Sequence, residues 1–476
     1  MKKIEIILLL LIVLGAFVVR LYRLNSPIAD WHSWRQADTA AVARNYIKDG
    51  FNFFKPQVDN YVPTNEKALA NNQRLFYVEP PFYETLVFGL YKILGVHEYL
   101  ARLVSIFFSL GTIIFIYFLV KKFFNMSTAL LASFFFAFMP YSIFYGRIIL
   151  PEPMMLFASV SSIYFVSEWL DKKSVKFVIL AIFFTALSFL LKAYTLVLLL
   201  PILYLIWQKY HFEFWRQKEA ILLIGISLLP IVSWRYFISF YPEGIPSSTW
   251  LFNGGNIRFT GAFFHWIFAE RLGRLILAYG GIALFFQGLI LKPSKKEGWL
   301  FHWWLVGILA YFFILARGNV THDYYQVPFI PIAVIFMSRG AELLIRGMGK
   351  ISRIVSWPTT LALILTMLAF GWFEVRGFYW INHPEIVEAG RAVDRLTSLN
   401  SKVIAPYARD VAFLYQTNRH GWSIMEKPIT DLISEGATIY ASVNFDEETL
   451  RLNKEYKVVE KTSRYIILDL TKPSIK

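Results

Sequence analysis

The sequence predicts a polytopic α-helical membrane protein of about eleven transmembrane helices, ending in a small α/β domain outside the membrane. Three observations carry that prediction. Of the 476 residues, 56% are hydrophobic and 17% charged, too little charge to cover a soluble body of this size. The apolar residues fall in repeated runs long enough to cross about 30 Å of hydrocarbon. Between the runs, Lys and Arg cluster at alternate ends, the pattern of cytoplasmic anchoring. The net charge of +15 is thus explained by membrane orientation, and nucleic acid is not an expected partner. With no cysteine, there is neither a disulfide framework nor a thiolate metal site.

The expected spans, in order, are residues 4–19, 103–120, 127–141, 154–169, 177–191, 195–207, 220–240, 275–291, 299–315, 325–337 and 358–373. Met1-Lys2-Lys3 before the first span has the outline of a signal peptide, but no small-residue cleavage site follows, so the span reads as a retained anchor. Lys2 and Lys3 place the N-terminus in the cytoplasm. Lys121-Lys122, Lys172-Lys173, Lys209 with Arg216, the run from Lys292 to Lys296, and Arg339 through Arg353 (Lys350 among them) mark the cytoplasmic ends. An odd count returns the tail to the side of the first loop.

That loop, residues 21–100, is too polar to span. It contains a helix beginning near Thr39, with Asp38 or Thr39 as its cap. A second apolar piece, Phe82–Leu94, is too short to cross and reads as an interfacial helix started by Pro80-Pro81. The tail, residues 381–476, is polar. Its pattern gives an amphipathic helix over 386–396, strands at 403–405 and 438–442, and a hairpin pairing 456–460 with 465–470. Residues 1–380 are expected to form one transmembrane domain including the long first loop, and the tail a domain able to fold alone.

Chemistry concentrates in Asp30-Trp31-His32-Ser33-Trp34-Arg35-Gln36-Ala37-Asp38, just outside the first span. The other loops on the same face add Glu79, Arg147, Glu152, Lys192, Arg258, Arg317, His322 and Asp323, whereas the cytoplasmic loops add little beyond Lys and Arg. Acids and bases converging on one face suit an anionic, membrane-anchored substrate. A phosphate calls for Arg, Lys or His, and an attacking hydroxyl or amine calls for a carboxylate to take its proton.

These motifs resemble the GT-C superfamily of polyprenyl-phosphate-sugar glycosyltransferases, in the branch of the protein O-mannosyltransferases (glycosyltransferase family 39) and the lipid A aminoarabinose transferase. The resemblance rests on the acidic first loop leading into Ala43-Arg44-Asn45 and on Tyr77-Val78-Glu79-Pro80-Pro81-Phe82-Tyr83. It also rests on Tyr145-Gly146-Arg147 with Leu150-Pro151-Glu152-Pro153, and on His322-Asp323-Tyr324-Tyr325-Gln326-Val327-Pro328. Where many relatives carry an Asp-Glu pair at the head of the loop helix, this chain has Arg35-Gln36, leaving Asp30 or Asp38 as the catalytic carboxylate.

The resemblance implies a polyprenyl-phosphate sugar donor and an acceptor glycan, lipid or protein at the outer face of the cytoplasmic membrane, with inversion at the sugar. Arg147, Lys192, Arg258, Arg317 and His322 would meet the donor phosphate. His32, Trp34, Arg35, Glu79, Asp323 and Tyr324 would contact acceptor or sugar, and Glu152 would position the acceptor. Metal dependence varies across the superfamily; a divalent ion would be held by Asp30, His32 and Glu152. The alternatives are a transporter or flippase, which would place ionisable groups at mid-span, and an O-antigen ligase or polymerase, whose main loop lies late in the chain.

Overall fold

The computed structural model describes residues 3–347, 353–381 and 383–474. Lys2 and Lys350, invoked for orientation, lie outside them. The chain divides into two compact units. One contains Met1–Tyr22, Leu103–Phe237 and Ser248–Gly377; the other contains Arg23–Arg102, Ile238–Ser247 and Phe378–Lys476.

The first unit is helical, because its apolar runs can satisfy their backbone groups in hydrocarbon only internally. Each of the eleven expected runs is helical. Among the described residues, six helices are long and apolar enough to cross a membrane, or seven if Gly261–Ile276 and Gly280–Ile290, bent by 109°, form one span. Two runs expected to be continuous are interrupted. The run at 127–141 stops at Met139 and restarts as Pro140–Tyr145, because Pro140 has no N–H to continue the ladder. The run at 275–291 follows a π-helical stretch, His265–Ile276, and turns at Ala278 and Tyr279, both with positive φ.

Arg20, wholly buried, answers the first interruption. Its guanidinium donates to the carbonyls of Phe136 (3.2 Å), Ala137 (2.8 Å) and Ser142 (3.4 Å), and its Nε donates to Ser109 Oγ (3.0 Å). A helix end broken inside the membrane leaves carbonyls without partners, and a cation there satisfies them while complementing the helix dipole.

The second unit joins the first loop to the tail, where the sequence predicts two separate bodies. The tail's mixed sheet has the order β2-β1-β3-β5-β4, with β1 at Lys402–Ile404, β2 at Gly421–Trp422, β3 at Ala437–Ser442, β4 at Tyr456–Lys461 and β5 at Ile466–Pro473. β1 runs parallel to β2 and β3, and β5 runs antiparallel to β3 and β4. The first loop extends this sheet: Asn60 bridges to Gly421, and Tyr61 and Val62 pack on a core that includes Trp422, Leu432, Tyr440 and Leu468.

The first-loop helix spans Ser33–Lys48 and starts six residues earlier than expected. His32 occupies the cap position in a left-handed conformation (φ 56°). Asp38 and Thr39 therefore lie inside the helix and cap nothing, and Thr39 Oγ1 instead donates back to the Arg35 carbonyl (3.0 Å). The helix packs Val42 and Tyr46 against Val58 and Phe88, the latter from the short helix Phe82–Leu94.

Candidate functional site

The loop helix carries more charge than a buried element tolerates unless each group is paired. Most of its groups are. Arg35 and Glu79, both expected at a sugar or acceptor contact, pair with each other at 2.7 Å, and the Arg35 guanidinium lies over Phe76. Asp30 is buried; its Oδ1 accepts from Gln36 Nε2 (2.7 Å) and its Oδ2 stands 3.9 Å from Arg102. Arg44 binds Asp59 and also donates to the Tyr415 carbonyl (3.0 Å), with its guanidinium over the Tyr415 ring. Burial alone would raise Asp59, but the charges of Arg44, Lys48 and His420 hold its carboxyl below the ordinary range. His32 packs edge-on to Trp31 at 5.3 Å, and Trp34 is half-buried.

Asp38 is the exception. Among the described residues, its half-buried carboxylate makes no hydrogen bond or ion pair within 4 Å. Burial pushes its pKa from 3.8 up to about 7, against the pull of Arg35 and with the repulsion of Asp59 and Asp410. A carboxylate poised near neutrality with open lone pairs can accept a proton at physiological pH.

In the other unit, two buried polar clusters gather residues expected at the site. Glu152, at the start of Glu152–Lys172, faces Lys192 at 3.1 Å. Asp323 accepts from Tyr145 Oη at its Oδ1 (2.6 Å), its backbone oxygen accepts from Tyr141 Oη (2.5 Å), and Arg271 stands 3.8 Å from its Oδ2. His322 stacks on Tyr324 and Tyr325 and meets Trp250 edge-on. Arg258 is engaged with the carbonyls of Phe252 and Ile314. Arg317 is half-buried beside Gly254 and, among the described residues, has no hydrogen-bond or ion-pair partner. Arg147 is buried just after Pro140–Tyr145.

Among the described residues, no three His, Cys, Asp or Glu side chains gather closely enough to hold a metal ion. Of the set named for one, Asp30 is taken by Gln36 and Arg102, and Glu152 by Lys192.

Sequence reasoning passed over Arg271 and Tyr141, and it quoted Tyr145 only as the start of the motif with Arg147. Tyr141 ends a run that read as apolar, and Arg271 belongs to a stretch read as loop. Asp59 and Asp410 also went unnamed, since only folding gives Arg44 and Asp38 these neighbours.

Residues 78–237 match the profile of the dolichyl-phosphate-mannose-protein mannosyltransferase family. An uncharacterized protein of Aquifex aeolicus (strain VF5) is 29% identical over 261 residues, 54% of this chain; the match spans 59% of that relative's length. ArnT from Cupriavidus metallidurans bound to undecaprenyl phosphate aligns with a TM-score of 0.68 at 12% identity, over 98% of both chains. The apo form of ArnT gives 0.70 at 14% identity, over 96% of this chain and 97% of that one. AglB from Archaeoglobus fulgidus, an archaeal oligosaccharyltransferase in complex with an inhibitory peptide and a dolichol-phosphate, gives 0.57 at 11% identity over 93% of this chain and 69% of its own. The chain shares the fold of these proteins.

Proposed function

We propose that the protein is a membrane glycosyltransferase that moves a sugar from a polyprenyl-phosphate donor to an acceptor hydroxyl or amine, with Asp38 as general base. Support comes from the fold shared with ArnT bound to undecaprenyl phosphate and with AglB bound to a dolichol-phosphate, and from the mannosyltransferase profile match. The observation that carries the role of Asp38 is its half-buried carboxylate, unpartnered among the described residues and held near neutrality.

In the proposed step, the acceptor lone pair attacks the anomeric carbon as its proton passes to Asp38, and the bond from that carbon to the phosphate oxygen breaks. Polyprenyl phosphate leaves with the electron pair, and the anomeric configuration inverts in a single displacement. Lys192 and Arg317 are the cations suited to the phosphate, with His322 as a hydrogen-bond donor; Arg317 is the stronger cation because no described group neutralises it. Arg258 is already committed to carbonyls and has a structural part. The N-terminus is cytoplasmic and the tail extracytoplasmic in this reading, supported by the alternating Lys and Arg clusters.

The test is transfer from labelled polyprenyl-phosphate sugars in membranes carrying Asp38→Asn or Asp30→Asn. Loss of a general base costs about 10²–10⁴ in rate, so Asp38→Asn transfers at a small fraction of the wild-type rate, whereas Asp30→Asn keeps at least a tenth of it. Full transfer by Asp38→Asn removes this residue from the mechanism.

A further inference from the structure

The tail sends a loop to the head of the helix that bears Asp38. Residues 405–411 leave β1 anchored by Ala405 N to the Trp422 carbonyl (2.9 Å) and Tyr407 N to the Ser423 carbonyl (3.2 Å). The loop then passes through two consecutive left-handed residues that are not glycine, Ala408 (φ 46°) and Arg409 (φ 67°). Such backbone is sparsely populated and persists where its surroundings over-determine it, a condition that clusters at functional sites. The strained turn presents Asp410. Its Oδ1 accepts from Ala412 N (2.7 Å) and its Oδ2 accepts from Ser33 Oγ (3.2 Å), the first residue of the loop helix.

We propose that Asp410 is a positioning residue: it ties the tail to the head of the Ser33–Lys48 helix and places a second carboxylate in the field of Asp38. The proposal rests on the reading of Asp38 as the base. The tail thereby takes part in tuning the reaction, beyond shaping access to it. The charged groups facing Asp38 are Arg35 from its own helix, Asp59 from the first loop and Asp410 from the tail. Arg35 is compensated by Glu79 and Asp59 by Arg44. Asp410 accepts two hydrogen bonds from neutral groups and has no ion pair within 4 Å among the described residues. Burial raises its own carboxyl, with only His383 pulling against that as a charge, and in its ionised form its repulsion keeps a proton on Asp38 to higher pH.

The experiment follows the proton on Asp38 directly. Dicyclohexylcarbodiimide modifies protonated carboxyls, so its rate of attachment to Asp38, mapped by peptide mass spectrometry across pH 5 to 9, reads the titration of that residue in the full-length protein without any donor. Wild type gives a midpoint near the value of about 7. Asp410→Asn keeps the shape and removes the charge, and lowers the midpoint by roughly half to one pH unit. The acid limb of the transfer rate moves in the same direction. A role confined to holding the loop moves neither, so an unchanged midpoint overturns the proposal. If Asp410→Asn does not accumulate in membranes, Asp410→Ser carries the same prediction, since its hydroxyl can still accept from the Ala412 amide. A wild-type protein that transfers nothing from any polyprenyl-phosphate sugar condemns the glycosyltransferase reading instead, while the labelling result still decides whether Asp410 acts on Asp38.

Discussion

At the scale of single residues, Asp38 links the proposed chemistry to stability. The folded protein keeps this proton up to about pH 7, whereas the unfolded chain releases it near 3.8. Between those values the folded state binds more protons, so stability falls as pH rises through the window and the whole penalty stands above pH 7. Asp38→Asn removes the penalty. Its thermal midpoint in detergent therefore exceeds that of wild type at pH 8 by several degrees, with the margin shrinking toward pH 4; a margin independent of pH sinks the assignment. The buried Glu152–Lys192 pair follows different rules. Removing one partner strands a buried charge and costs about 3–5 kcal/mol, while replacing both is close to neutral. Glu152→Ala should thus unfold at markedly lower temperature than the double variant Glu152→Gln with Lys192→Met, and equal midpoints for the two refute a structural pair. Asp38 stands out in the sequence as a candidate because Trp-Arg-Gln-Ala-Asp-Thr packs polar groups beside a membrane exit. Its lack of a partner was not legible, because Asp59 and Asp410 become its neighbours only through contacts made across the chain.

At the scale of elements, the apolar runs were readable nearly throughout, since length and hydropathy alone dictate a helix in hydrocarbon. The short helix Phe82–Leu94 has its expected bounds, its start fixed by Pro81. The misread starts and bends depend on distant groups. Nothing local announces that Arg20 will satisfy the carbonyls freed at Met139, or that a chain can turn through Ala278 and Tyr279. The helices Gly280–Ile290 and Ile330–Arg346 meet backbone to backbone. A Cβ added at Gly288 would come 1.8 Å from the Phe336 carbonyl oxygen, and one at Gly340 would come 2.0 Å from that of Leu284. Small residues permit this approach where helices associate by close packing. Gly340→Leu should therefore cost 3 kcal/mol or more, about the upper end for overpacking, and leave little monodisperse protein on size exclusion in detergent. Gly225→Leu, with nothing within 4 Å of its added Cβ, serves as control; equal recovery of the two variants refutes the close-packed seam.

At the scale of the whole molecule, the first loop and the tail belong to one unit although some 280 residues separate them in sequence, a grouping no local pattern announces. The absence of cysteine makes sidedness simple to measure. Single cysteines at Ser463 in the β4–β5 turn and at Asn125 beside Lys121-Lys122 should react differently with a membrane-impermeant maleimide on intact cells. The first should label and the second should stay silent until the membrane is opened. The reverse pattern inverts the proposed orientation. Arg20 carries a further consequence, in time. Besides the Ala16 carbonyl in its own helix (3.2 Å), its acceptors lie 89 to 122 residues downstream, so during synthesis the opening helix enters the bilayer before any of these distant ones exists. Until the ribosome has delivered the segment through Ser142, this guanidinium must remain hydrated at the lipid boundary, and the anchor cannot settle to its final depth. Biogenesis thus has a checkpoint written into it: the earliest span waits, provisionally seated, for a proline-broken helix to arrive and claim it.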